Sequence, residues 1–221
     1  MRTAFDLLSF WILWIIACIA GLALGLFLVG IVISVKPATE NSGIASLLAG
    51  IAFGSGLGVV QWLSLRGTLR YAATWVPASV VGYSASFIIV WGLDTVLDNK
   101  LWTADTPLAI AIAALTICAT IGISVGIPQA MSLFTKGMLA LLWIPVHSLG
   151  VLTAFAVAYV STRIAGYWAN IEGWRLLALL LIFGGLYGGI TGMPLAIALK
   201  LNLSYPRDMN FQIGNRVPRI T

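Results

Sequence analysis

Charged residues are scarce in this sequence. Asp, Glu, Lys and Arg make up 9% of its 221 residues, whereas hydrophobic residues make up 60%, and the mean hydropathy is +1.02. Soluble domains carry about 25% charged residues. The composition therefore excludes an ordinary soluble domain and indicates a protein of the lipid bilayer.

Reactive side chains are also few. The sequence has one histidine and two cysteines, and Cys18 and Cys118 both lie deep inside hydrophobic stretches. Their placement fits neither a disulfide framework nor a metal-binding motif. No pair of membrane-facing carboxylates, Cys/His cluster, nucleophile beside a base or phosphate-binding glycine loop is present. We therefore predict no enzyme activity and no metal site, and the sequence names no cofactor.

The few charges divide the chain into six uncharged stretches. Each approaches or exceeds the roughly 20 residues that cross ~30 Å of hydrocarbon as a helix. Continuous apolar runs of this length favour helices over barrel strands. The predicted fold class is all-α, a polytopic bundle of six transmembrane helices forming one membrane domain over 1–221. The spans are predicted at about 7–35, 45–65, 71–93, 107–135, 137–162 and 176–199, with 200–221 as a basic tail.

Basic residues are distributed unequally between the two ends of these spans. The end that holds both termini has eight Lys and Arg against two acidic residues, and the opposite end has four against five. Because loops rich in Lys and Arg stay in the cytoplasm, both termini are predicted to be cytoplasmic. This topology and the anionic lipid headgroups account for a pI of about 9.5. No nucleic acid is needed as a partner.

One segment of the sequence occurs twice. Residues 54–82 align without a gap on residues 122–150. The matches fall on uncommon residue types, whereas chance matches in apolar sequence would fall on Leu, Ile and Ala, so we interpret them as a duplication. The matched pairs include Gly54 with Gly122, Gly58 with Gly126, Gln61 with Gln129, Trp75 with Trp143, and Gly82 with Gly150.

A third copy of this unit is divided between the two ends of the chain. Helix one has Trp, a small or polar residue and Gly at the spacing of the odd helices, and helix six has the glycine and proline spacing of the even helices. Three two-helix units with the same orientation predict a pseudo-threefold axis along the membrane normal. The residues that carry the third copy are Trp14, Cys18, Gly21, Gly188, Gly192 and Pro194.

Glycines four residues apart lie on one face of each even-numbered helix. In lipid, close backbone approach at such faces is the main source of helix association. We therefore interpret these glycines as packing residues. The predicted packing pairs are Gly54 and Gly58, Gly122 and Gly126, and Gly188 and Gly192.

The repeated glutamines and tryptophans predict hydrogen bonds between helices. Gln61 and Trp75 lie at similar depths on consecutive helices, as do Gln129 and Trp143. We expect each glutamine to bind the indole N–H or a neighbouring carbonyl group. Leu195 takes the place of glutamine in the third copy, which predicts that this bond is missing between helices six and one. That break favours a structural role for the glutamines over a symmetric polar pore.

The single histidine, His147, occupies the position that Cys18 and Ser79 hold in the other copies. An ionisable group inside a membrane is by default a functional-site hypothesis. Three roles stay open: ligation of a tetrapyrrole metal, proton transfer, or a hydrogen bond to Ser148 or to a carbonyl freed by a proline. The candidates for a ligand site or polar network are Gln61, Trp75, Ser79, Gln129, Trp143 and His147.

Four prolines lie inside predicted spans. A proline inside a helix removes one amide donor and strains the preceding turn, so we expect kinks that open cavities. Such a cavity could hold a ligand, a lipid or a neighbouring side chain. These prolines are Pro77, Pro128, Pro145 and Pro194.

The pattern G-x-x-x-G-x-x-Q-W-x-x-L-R at Gly54–Arg66, followed by W-V-x-x-S-x-x-G at Trp75–Gly82, resembles multi-pass membrane proteins of cyanobacteria and other phototrophic or filamentous bacteria. The likeness covers residues 45–160 and is confined to these motifs. The second repeat departs from it, with Ala130 in place of Trp and Phe134 in place of Arg. That group has no assigned activity, so the resemblance implies only a bacterial inner or thylakoid membrane.

Two functions follow from these features. The first is a non-enzymatic accessory or scaffolding subunit of a larger membrane complex, with other membrane subunits as partners and a lipid, quinone or pigment as candidate ligand. The alternative is a channel or facilitator for a small neutral solute along the pseudo-threefold axis, lined by Gln61, Gln129 and Ser or Thr side chains. Ion-coupled transport is less favoured because the spans contain no Asp or Glu.

Overall fold

The chain forms an all-helical bundle. The computed structural model describes residues 6–35, 42–69, 72–97, 106–133, 138–165 and 172–203. Each of the six helices in these ranges is long and apolar enough to cross a membrane, as the composition predicted. The helices are α1 (Leu7–Val35), α2 (Ser42–Leu65), α3 (Trp75–Val96), α4 (Pro107–Ser132), α5 (Met138–Ala165) and α6 (Glu172–Leu203), with a short 3-10 turn at Ala72–Thr74 before α3.

The helices expose apolar side chains on their outer faces. Phe27, Val81 and Leu141, on three different helices, are 66%, 60% and 72% exposed. A helix at the surface of a soluble protein has an apolar stripe on one side only, whereas a membrane helix is apolar all round. The outer faces are therefore suited to lipid, and a helix satisfies its own backbone hydrogen bonds there.

Polar side chains cap two of the helices. At the start of α1, Asp6 accepts a hydrogen bond from the Leu8 amide at 2.9 Å and another from the Ser9 hydroxyl at 2.7 Å. The Ser9 and Leu8 hydrogen bonds hold the pKa of the Asp6 carboxyl below its usual range, because they stabilise the charged form. At the start of α4, the Thr106 side chain accepts from the Ala109 amide at 3.2 Å, which satisfies one unpaired donor.

The structure corrects two expectations about helix ends. Helix α6 continues to Leu203, so Lys200 belongs to its last turn and not to a tail that starts at residue 200; residues 204–221 lie outside the described ranges. Pro77 is the third residue of α3, and the first-turn amides of a helix have no intrahelical partner. No internal hydrogen bond is therefore lost there. Pro128, Pro145 and Pro194 do lie inside helices.

The six helices form a closed ring. Each helix packs against its neighbours in chain order, and α6 packs against α1. The first and last helices are therefore in contact although no loop joins them.

Glycines bring α2 close to α3 and α4 close to α5. A Cβ atom added at Gly54 would lie 2.7 Å from the Ser79 carbonyl oxygen, and one added at Gly122 would lie 2.6 Å from Ser148 Cα. One turn further along each helix, Gly58 and Gly126 also face the neighbouring helix. Backbones pack at this range only where a side chain is missing, so these glycines lie where their spacing predicted close approach.

On α6 the glycines that face the α1 backbone lie one turn earlier than the sequence alignment predicted. Added Cβ atoms at Gly184 and Gly188 would lie 2.8 Å from Ile19 Cα and 2.9 Å from Ile15 Cα. At Gly192 the nearest atom is Cδ1 of the Trp14 indole, at 2.6 Å. Gly188 and Gly192 therefore both pack against α1, but Gly192 meets an indole ring, and the close approach of the two backbones continues at Gly184.

Candidate functional site

Three tryptophans from alternate helices meet inside the ring. Trp14, Trp75 and Trp143 lie on α1, α3 and α5, and each is at most 1% exposed. Their ring centroids are 5.4 to 6.3 Å apart, with edge-to-face angles of 70 to 81°. Aromatic pairs in this geometry each contribute about 0.5–1.5 kcal/mol beyond their burial. We call these three residues the tryptophan cluster; it fills the interior of the bundle at this depth.

Two indole N–H groups of the tryptophan cluster donate to buried glutamines. Trp75 donates to Gln61 Oε1 at 2.9 Å, and Trp143 donates to Gln129 Oε1 at 3.1 Å. Both glutamines are completely buried, so water is not available as a substitute partner. The bonds join α2 to α3 and α4 to α5, as the duplicated sequence predicted.

The third indole is also paired, which corrects a prediction. Trp14 donates to Thr191 Oγ1 at 3.0 Å, and the Thr191 hydroxyl donates to the Tyr187 carbonyl at 2.7 Å. The expectation that the hydrogen bond is missing between α6 and α1, because Leu195 replaces glutamine, was therefore wrong. Thr191 lies one helical turn before Leu195 and takes the role of the glutamine.

The contacts of α6 follow a register shifted by one turn from the sequence alignment. Gly184, Gly188 and Thr191 have the same spacing as Gly54, Gly58 and Gln61, and they make the corresponding contacts to backbone and indole. In this register Leu195 follows Thr191 by one turn, as Leu65 follows Gln61 and Leu133 follows Gln129. These three residues, Leu65, Leu133 and Leu195, are all completely buried.

The glutamine amides also reach the odd-numbered helices on their other side. Gln129 Nε2 donates to Ser79 Oγ at 3.0 Å, and Gln61 Nε2 approaches Cys18 Sγ at 3.5 Å. Each glutamine therefore connects its own helix to both neighbours in the ring. The glutamine side chains surround the tryptophan cluster and accept hydrogen bonds from two of its indoles. These contacts support the structural role that the sequence favoured for the glutamines.

His147 pairs with a tyrosine that the sequence analysis did not single out. Its Nδ1 atom lies 2.9 Å from the Tyr187 hydroxyl, and which atom donates depends on the histidine tautomer. The predicted partner Ser148 instead donates to the Ile144 carbonyl at 3.0 Å. His147 Nε2 is sealed from solvent and has no hydrogen-bond partner among the described residues. Leaving a buried polar atom unpaired costs about 1–3 kcal/mol.

A cavity of about 530 Å³ lies inside the ring. Its volume is within the range of about 300–1,000 Å³ that is typical of small-molecule sites. Cys18 and Tyr187 contribute to its wall, so the polar network around the tryptophan cluster borders it directly. All six helices contribute, through residues such as Leu22, Phe53, Tyr83, Ile121, Val151 and Phe183.

The cavity lies on the side of the tryptophan cluster away from the start of α1 and the end of α6. Leu22 and Leu26 line it and follow Trp14 along α1 by two and three helical turns. On the side where α1 starts and α6 ends, the completely buried side chains of Leu65, Leu133 and Leu195 lie one turn beyond the indole partners. The tryptophan cluster and these leucines therefore lie between the cavity and that end of the bundle.

The cavity wall is made of neutral side chains. Apart from Cys18, Tyr83 and Tyr187, the described residues that line it are apolar or glycine. Within the described part of the chain, no three His, Cys, Asp or Glu side chains gather as metal ligands would.

The chain matches no protein-family model, no curated protein and no solved structure. Fold and site together define a polytopic helical membrane protein with an internal apolar cavity.

Proposed function

We propose that this protein is a non-enzymatic integral membrane subunit that holds a lipid-like molecule inside its helix bundle. The observation that carries this proposal is the apolar cavity of about 530 Å³ beside the tryptophan cluster. Apolar cavities of this kind exclude water and accept apolar ligands. A bilayer supplies such molecules at high concentration, so an apolar ligand is the natural occupant.

We propose further that the bundle consists of three two-helix units around a pseudo-threefold axis. The closed ring and the edge-to-face contacts among Trp14, Trp75 and Trp143 support this arrangement. A glycine seven residues after each of these tryptophans also faces the next even-numbered helix. These contacts are Gly21 against Leu57, Gly82 against Val125, and Gly150 against Tyr187.

Location and partners belong to the same proposal. The sequence motifs support a bacterial inner or thylakoid membrane, and the basic residues support cytoplasmic termini. In that orientation the tryptophan cluster lies nearer the cytoplasm and the cavity lies in the other half of the bilayer. We propose that the protein serves as an accessory or scaffolding subunit, with other membrane subunits bound to its outer faces.

A channel for a small neutral solute is the weaker candidate. A route along the ring axis would have to pass the tryptophan cluster, whose centroids are no more than 6.3 Å apart. Gln61 and Gln129 do not line an open path, because both are completely buried and their amides are hydrogen-bonded. Uptake of a neutral solute by liposomes that contain the protein, above that of empty liposomes, would favour the channel.

The proposal is tested by identifying what the protein carries. The full chain is purified from its native membrane in mild detergent, and bound molecules are extracted and measured by mass spectrometry and absorption spectroscopy. We expect one class of lipid, quinone or pigment at close to one molecule per chain. Val151→Trp places a large side chain in the cavity and should remove that molecule, whereas Leu141→Trp, on the outer face of the same helix, should not. Equal retention by both variants would contradict the proposal.

A further inference from the structure

Tyr83 is a polar residue in the cavity wall whose hydroxyl group has no hydrogen-bond partner among the described residues. It lies on α3, is 5% exposed, and packs its ring edge-on against Phe53 with the centroids 4.8 Å apart. Its hydroxyl makes no hydrogen bond to any described residue. Because buried hydroxyl groups are almost always paired, a partner is expected from the contents of the cavity.

The other polar groups on the cavity wall are already engaged. Cys18 Sγ is approached by the Gln61 amide, and the Tyr187 hydroxyl is paired with His147. Among the described residues that line the cavity, Tyr83 is therefore the one with a polar group left for a ligand.

The Tyr83 hydroxyl is also accessible from the cavity. Among the described residues, the side-chain atoms that are both sealed and unpaired are Ser84 Oγ and His147 Nε2. The Tyr83 oxygen is not one of them, so it keeps accessible surface although the residue as a whole is buried. The space that it borders is the cavity that the residue lines.

We propose that the Tyr83 hydroxyl donates a hydrogen bond to a carbonyl oxygen of a neutral, lipid-like ligand in the cavity. This inference rests on the proposed function and specifies the ligand class. The ligand should be neutral because none of the described residues that line the cavity is charged, and an unpaired charge in such surroundings would be costly. Its body should be apolar, since apart from Cys18 and the two tyrosines the lining residues are apolar or glycine. A quinone ring and a fatty ester both meet these requirements.

The test compares three probes of similar size with the full chain in lipid nanodiscs. The probes are a tritiated decyl-benzoquinone, a fatty-acid methyl ester and a saturated hydrocarbon without oxygen. We expect the wild type to bind at least one carbonyl probe about 5–10-fold more tightly than the hydrocarbon, as one net hydrogen bond implies. Preference for the quinone or for the ester identifies the source of the carbonyl.

Two substitutions on α3 separate the hydroxyl from the rest of the site. Tyr83→Phe keeps the ring and removes the hydroxyl, so it should bind all three probes with the affinity of the hydrocarbon. Ser86→Ala is the matched control, because Ser86 is buried on the same helix, does not line the cavity, and donates to its own-helix Gly82 carbonyl at 2.8 Å. It should preserve the wild-type preference.

The possible outcomes test the role of Tyr83 separately from the proposed function. If the wild type binds the hydrocarbon and the carbonyl probes equally, or if Tyr83→Phe keeps the preference, the role of Tyr83 is refuted while the apolar site stands. If the wild type binds none of the three probes, the proposed function itself is refuted.

Discussion

Adjacent glycines on α6 allow a matched test of how the bundle is held together. A Cβ atom added at Gly184 would lie 2.8 Å from Ile19 Cα on α1, whereas one added at Gly185 would meet nothing within 4 Å. Both positions lie within the same turn of one helix. Substitution by alanine should therefore bring the same gain in helix propensity at both, about 0.5–1 kcal/mol.

The cost at Gly184 follows from the kind of atom that a methyl group would meet. Ordinary contact begins near 3.4 Å, so α1 would have to retreat by about 0.6 Å. Ile19 Cα is a backbone atom that cannot rotate away, and overpacking of this kind costs about 1–3 kcal/mol. We expect Gly185→Ala to be neutral or stabilising, and Gly184→Ala to be less stable than Gly185→Ala by about 1–3 kcal/mol.

The measurement is equilibrium unfolding of each variant in mixed micelles with increasing dodecyl sulfate, followed by circular dichroism. A second adjacent pair repeats the comparison on the same helix. A Cβ at Gly188 would lie 2.9 Å from Ile15 Cα, whereas one at Gly189 would lie 4.0 Å from its nearest neighbour. Equal stability of Gly184→Ala and Gly185→Ala would refute the close contact between α6 and α1.

Three further predictions concern the polar network, the start of α1 and the cysteines. Gln129→Leu leaves the buried Trp143 indole N–H unpaired and should lower the free energy of unfolding by about 1–3 kcal/mol in the same assay; an unchanged stability would contradict the bond. Carbon-13 NMR of the Asp6 carboxyl should give a titration midpoint below 3.8. Because the pKa of Asp6 is lowered in the folded protein, its hydrogen bonds stabilise the start of α1 fully above pH 3.8, and this stabilisation is lost as the pH falls through the midpoint. A midpoint at or above 3.8 would be evidence against the cap. Cys18 and Cys118 are 1% and 2% exposed, so a maleimide should label them only after unfolding, and rapid labelling of the native protein would argue against this packing.

The hydrogen bonds from the indoles to the glutamines could be predicted because both partners occur twice at the same spacing. Gln61 and Trp75 lie on consecutive helices joined by a short turn, so their relative depth follows from their distance along the chain. The same reasoning holds for Gln129 and Trp143. Uncommon polar residues in an apolar sequence have few other partners, which makes such a pairing predictable.

The corresponding bond between α6 and α1 could not be predicted in the same way. These helices lie at opposite ends of the chain, so no short turn sets their relative depth. The alignment therefore depended on residue identities alone. The glycine and proline pattern that ends at Gly192 and Pro194 placed Leu195, and not Thr191, opposite the Trp14 indole. The signal that could have identified Thr191 was the earlier glycine pair, Gly184 and Gly188, which lie seven and three residues before it.

The membrane class and the six helices were determined by the sequence alone. Transfer from water to lipid depends on the composition of each segment, and backbone hydrogen bonds within a helix are local, so neither requires knowledge of the neighbours. Only the tertiary structure decided the pairing of His147 with Tyr187, the cavity, and the lack of a partner for the Tyr83 hydroxyl in the described part of the chain. A cavity is the volume that several helices together leave unfilled, and this volume depends on how the whole ring packs, not on any one segment.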